Sequence, residues 1–154
     1  MKVMGVRVST ESVRYAVIEK LPDGSYVFCN KDNDRLVFPL DACKEKEKIS
    51  WLWDQFNRIL DIHTDVTKIF VKLPEFMRGE TKASRMSHYL DAVLYLSAAK
   101  HSPTVEIEGV NYKTIHTKRS EVVAYVEGKG INRTTHYWNE HVCDAIAAAI
   151  FGLE

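Results

Sequence analysis

The sequence predicts an α/β protein, a five-stranded mixed sheet flanked by helices in a single domain over residues 1–154. Three observations predict it. The chain opens with β-rich runs joined by tight turns, its middle alternates long apolar-periodic segments with compact β runs, and it closes on a helix that is apolar on nearly every side. A meander followed by crossover units places the later strands parallel to the first, because each returns to the sheet through a helix.

Lys2 to Ser9 (KVMGVRVS) and Ser12 to Lys20 (SVRYAVIEK) read as two strands, and the short link between them makes them an antiparallel hairpin. A PDGS turn at Pro22 to Ser25 feeds a third strand at Tyr26 to Phe28, with a continuation at Leu36 to Phe38. From Asp41 to His63, Ile49, Leu52, Trp53, Phe56, Ile59 and Leu60 recur at helical spacing behind the charged start KEKEK, which predicts a helix with Trp53 in the core. Thr67 to Leu73 (TKIFVKL) is a strand covered on both faces and stopped by Pro74. Thr81 to Lys100 is a second long helix, its Met and Tyr residues expected in the core. Further β structure is expected at Val105, Ile107 and Val110 to Ile115, with a bend at Gly109. A shorter helix then runs from Arg119 to Val126, and the last from His136 to Leu153.

Composition excludes several function classes. With 154 residues, 45% of them hydrophobic, the chain can fill a core without disulfide staples. Twenty-one basic residues balance 21 acidic ones, so no global field announces a polyanionic partner and any basic surface has to be local. Cys29, Cys43 and Cys143 are odd in number and lack any CxxC spacing, which argues against a disulfide framework and a zinc knuckle and fits a reducing, cytoplasmic setting. No apolar run reaches the roughly 18 residues of a membrane span, and the N-terminus lacks a signal-peptide core, so a soluble, unexported protein with no membrane partner is expected.

The last helix carries the first candidate site. His141 and Asp144 are three residues apart, so an imidazole and a carboxylate share one helix face. Such a pair can hold a divalent ion, or serve only as a local cap and a packing residue. In an open α/β sheet, ligands lie beyond the carboxyl ends of the strands, which directs attention to the first strand, the end of TKIFVKL and this helix.

In this arrangement the chain resembles the RNase H-like superfamily, in particular Holliday junction resolvases of the RuvC type. KVMGVRVSTESVRYAVIE is similar to their opening hairpin, IFVKLPEFMRGETKASRM to the strand end and long helix that follow, and HVCDAIAAAIFGL to their closing signature, with His141 and Asp144 in register. The resemblance implies a site of several acids that hold two divalent ions about 4 Å apart on a phosphodiester. It places the first Asp where Arg7 stands and a Glu where Lys72 stands. A guanidinium and an ammonium have no lone pair to offer Mg²⁺, so loss of the two-metal site is expected, with Arg7 bonded to Asp144 in the ion's place.

Two further readings follow. Catalysis by His141 and Asp144 with Glu75 and Glu80 would keep the chain a metal-dependent endonuclease, with Mg²⁺ or Mn²⁺ bound at Asp144 and His141; otherwise no cofactor is expected. Arg78, Lys82 and Arg85, then Lys113, Lys118 and Arg119, form a basic rim able to contact DNA or RNA phosphates, or a mixed solvated face given the acids between them. Lys118 matches by position the basic side chain that, in the resembling resolvases, faces the scissile phosphate. Trp138 is the better of the tryptophans for a surface contact or for a lid on the last helix. The expectation for partners is nucleic acid or another protein, and a homodimer paired through the long helix Thr81 to Lys100.

Overall fold

A computed structural model describes residues 1–75, 78–132 and 137–154. The strands are β1 (Lys2–Val8), β2 (Ser12–Lys20), β3 (Tyr26–Phe28), β4 (Arg35–Val37), β5 (Val66–Lys72) and β6 (Glu106–Val110). The helices are α1 (Glu45–Ile62), α2 (Lys82–His101), α3 (Tyr112–Ile115), α4 (Val122–Gly128) and α5 (Glu140–Phe151). The sheet runs β3-β2-β1-β5-β6, with β4 paired to the other end of β2. It is therefore five strands wide, the outer edge being split into two short pieces. β1 is antiparallel to β2 and parallel to β5, which is parallel to β6, as crossovers through helices require.

Alternation along β1 divides the core. Met4, Val6 and Val8 join Leu52, Phe56, Leu90 and Leu94 of α1 and α2 on one face. Val3 joins Ala145, Ile146, Ala149 and Ile150 of α5 on the other. Every residue from Val142 to Ile150 is buried, and the helix rests across β1 and β2. Small residues allow that approach: a Cβ on Gly5 would lie 1.8 Å from the Ala145 carbonyl oxygen.

The structure departs from the sequence expectations at several places. Beyond Val110 the chain does not continue as a strand; Asn111 caps a helical turn by accepting from the Thr114 N–H, giving α3 instead of β structure to Ile115. Gly109 lies inside β6 opposite Val71, so it makes no bend; a Cβ there would meet Leu73 at 2.5 Å and the Tyr95 hydroxyl at 2.9 Å. α4 starts at Val122, leaving Arg119 outside it. α5 starts at Glu140 because Asn139 is its N-cap, accepting from the N–H groups of His141 and Val142; His136 lies outside the described residues. Trp53 is only partly buried against the α1/α2 cluster, and Tyr89 is exposed on α2. Trp138 packs against the α5 cluster with its indole nitrogen buried, the lid rather than the surface contact.

Candidate functional site

β1 and β5 end side by side, where Arg7 of β1 meets Asp144 of α5 and Lys72 of β5 meets Glu75 and the Tyr112 ring. Arg7 Nε donates to Asp144 Oδ2 at 3.0 Å, and a second guanidinium nitrogen donates to the Val8 carbonyl. The charge-assisted bond expected between Arg7 and Asp144 is thus present, with the carboxylate almost wholly buried. The Tyr112 hydroxyl donates to Asp144 Oδ1 at 2.6 Å. Both carboxylate oxygens are used. Burial, followed by the bond to Asp144, pushes the Tyr112 hydroxyl pKa well above its ordinary value, so the phenol stays a donor.

Lys72, buried at the end of β5, donates to the Leu73 carbonyl at 2.7 Å and to Glu75 Oε1 at 3.0 Å, and its ammonium lies 3.8 Å from the centre of the Tyr112 ring. Glu75 also accepts from the Tyr112 N–H at 3.1 Å. Burial works to raise the Glu75 pKa, yet this N–H and Lys72 together hold it below the usual carboxylate range. Tyr112 is therefore the hub that ties both cations and both acids together. It was missed in the sequence because Val110 to Ile115 read as a strand; the NxxT spacing of Asn111 and Thr114 was the signal for a capped turn.

His141 is half-buried one turn before Asp144, and burial, reinforced by the positive charge of Arg7, lowers its pKa. The imidazole is neutral at pH 7. Glu80 is 3.0 Å from Arg85 on the surface and takes no part in the site. Each carboxylate proposed as a metal ligand is thus engaged by a cation. Among the described residues, no group of three or more His, Cys, Asp or Glu side chains is placed to hold a metal. A divalent cation does not fit this donor set, because two of its four positions carry positive charge.

The basic rim is divided. Arg85 pairs with Glu80, Lys118 approaches Glu121 at 3.8 Å, and Arg119 makes a forked contact with Glu140. Arg78, Lys82 and Lys113 are exposed and have no carboxylate partner among the described residues.

The sheet register reveals a further feature. Arg7 is the cross-strand partner of Arg14, and Arg14 of Arg35, while Lys72 follows the pairing of Val6 with Val71 by one residue. Four cations therefore cross four adjacent strands in one row. Like charges side by side are unfavourable, and each is relieved differently: Lys72 by Glu75, Arg7 by Asp144, Arg14 by Asp34, and Arg35 by stacking 4.0 Å from the Tyr137 ring centre. Arginine set between valine and tyrosine in VRY was the available sequence signal.

Asp91 on α2 is buried, its Oδ1 has no hydrogen-bond partner among the described residues, and desolvation raises its pKa to about 7 against a smaller opposing influence of Arg7. A carboxyl whose folded pKa exceeds its unfolded one favours the folded state when protonated. That contribution is complete below about pH 4 and is lost as pH rises towards 7. Asp91→Asn should therefore be more stable than the wild type at pH 8, by about 4 kcal/mol. Urea melts from pH 4 to 8 check this: the wild type should lose stability across that range faster than the variant, and parallel curves would refute it.

No family profile and no curated protein matches the chain. Solved structures do. A Thermus thermophilus RuvC in complex with a Holliday junction substrate superposes with a TM-score of 0.78 at 15% identity, covering 98% of this chain and 91% of the other. Another structure of Thermus thermophilus RuvC gives 0.78 at 14% identity, over 98% and 92%. The yeast mitochondrial Holliday junction resolvase Ydc2 gives 0.67 at 13% identity, over 97% of this chain and 76% of its own. Agreement of this extent at such low identity shows a shared backbone plan, and on that ground the chain has the RuvC-like form of the RNase H-like fold.

Proposed function

We propose that this protein is a nucleic-acid-binding member of the RuvC-like fold that has given up two-metal cleavage. The observation that carries the reading is the Arg7 to Asp144 ion pair at 3.0 Å, with Tyr112 on the second carboxylate oxygen. Losing one partner of such a pair leaves a buried charge uncompensated, so admitting a metal would require breaking the pair and leaving Arg7 facing a dication. Binding needs none of this. Arg78, Lys82 and Lys113, exposed and without a carboxylate partner among the described residues, are available for phosphates, and a protein of the same backbone plan has been captured on a Holliday junction. Contacts of this kind would position a strand without reading its sequence.

A homodimer through α2 belongs to the same proposal. Tyr89 and Leu96 are exposed at i and i+7, with exposed Ala92 and Ala99 on the same stripe. Light scattering should give twice the mass of the 17.7 kDa chain, and a monomer at all concentrations would refute this part.

The decisive experiment combines metal and DNA. The wild type should show no rise in Tm with millimolar Mg²⁺ or Mn²⁺, and should shift branched or single-stranded DNA in EDTA at low salt, with affinity falling steeply as salt is added. A Mg²⁺-dependent Tm rise abolished by Asp144→Asn would overturn the non-cleaving reading in favour of an endonuclease built on His141, Asp144, Glu75 and Glu80. Absence of any DNA shift would leave a protein partner as the alternative.

A further inference from the structure

Beyond the Arg7–Asp144 pair, the row of cations runs on under β4 into a separate cavity of about 300 Å³ between the β1–β2 turn, β4 and the start of α5. Arg14 forms part of its wall, nearly fully buried, one guanidinium nitrogen on Asp34, another 3.4 Å from Asn139 Oδ1, and Nε with no hydrogen-bond partner among the described residues. Ser9 and Ser12 line the opposite side, where the Ser9 hydroxyl closes the turn onto the Ser12 N–H and carbonyl. Arg35 reaches in from the edge strand. It has no carboxylate partner among the described residues, and the Tyr137 ring fixes its guanidinium plane at the cavity. His141 lines the same cavity, so it abuts the polar network through α5 without belonging to it. Asp34 already engages Arg14, and among the described lining residues the acid is the exposed Glu11.

A guanidinium held by stacking, with its hydrogen-bonding edge unspent, is the arrangement that receives a planar or tetrahedral oxyanion. Two hydroxyl-bearing residues and a buried second guanidinium supply the surroundings. We propose that this cavity binds a phosphate group of a nucleic-acid strand, with Arg35 as the charge that engages it and Glu11 as a gate that weakens the interaction. The proposal rests on the nucleic-acid reading above and gives it a specific anchor. The phosphate can be a 5′-terminal monoester or an internal diester, which share this chemistry.

The test measures fluorescence anisotropy of a labelled single-stranded 12-mer, with and without a 5′-phosphate, against the full chain and its variants in EDTA at several salt concentrations. Arg35→Gln should weaken binding roughly tenfold and reduce the slope of log affinity against log salt by about 0.7, the contribution of one single-strand phosphate contact. Arg35→Lys keeps the charge and should keep the slope while losing part of the affinity. Glu11→Gln should tighten binding, an effect a purely structural role would not give. A preference for the 5′-phosphorylated strand identifies the monoester, and equal binding the diester. If the wild type binds both strands but Arg35→Gln leaves affinity and slope unchanged, or Glu11→Gln weakens binding, this site is wrong while the broader reading stands. If the wild type binds neither strand, this site is wrong, and the broader reading falls as well only when branched DNA is not shifted either.

Discussion

Gly5→Ala should destabilise the protein by about 3 kcal/mol or more, among the largest effects available to one methyl group here. The added Cβ would sit 1.8 Å from the Ala145 carbonyl oxygen, 2.8 Å from its carbonyl carbon and 2.7 Å from the Ala149 nitrogen. All three are backbone atoms of one helix, so no side chain can rotate away and α5 as a body must lift from β1. Lifting it opens the contacts of Val3, Ile146 and Ile150 together. It also draws Asp144 away from Arg7, since the carboxylate rides on the residue before the clash. For a domain of this size the loss corresponds to about 10 °C in Tm. Urea unfolding measures it, and a penalty under about 1 kcal/mol would mean that helix and strand are not in this contact.

That glycine shows where sequence reading ended. The strand is legible because a β-rich run through Val3, Val6 and Val8 is a local property. That Gly5 is the point where a helix rests on the sheet is a fact about two segments about 140 residues apart. The same division holds at the site. Asp144 is legible from its helix-face spacing with His141, and Arg7 and Lys72 from the resemblance that aligns them; Arg7 does meet Asp144. Tyr112 escaped notice since a tyrosine two residues after a valine strand looks like more strand, and only the Asn111 cap turns it inward. Asp91 reads in the sequence as one of the acids of a mixed solvated face, whereas it is buried; its desolvation comes from the packing of α2 and has no signature in the chain. Glu80 was grouped with the acids by order along the chain, whereas Arg85 five residues later holds it on the surface.

Exchanging both cations for acids is the strongest test of the proposed function. The double variant Arg7→Asp with Lys72→Glu should acquire a response to Mg²⁺ that the wild type lacks. In the wild type the pocket holds two positive groups against Asp144 and Glu75, and local charge is close to balanced. Replacing both leaves four carboxylates beside His141, a set whose mutual repulsion destabilises the chain until a divalent cation compensates it. Without metal, Tm should therefore fall below the wild-type value. At a Mg²⁺ concentration about 100 times the dissociation constant, binding returns about 2.7 kcal/mol, a rise of roughly 5–10 °C. Arg7→Asn with Lys72→Gln serves as the control, removing the cations without adding ligands; it should lose stability yet stay indifferent to the metal. A Mg²⁺ response equal in the double variant and in the wild type would show that charge at these two positions does not decide occupancy, and the reason for assigning a binding role to this fold would be gone. A response confined to the double variant would locate the change from ion-holding to ion-excluding chemistry in two side chains at the ends of neighbouring parallel strands.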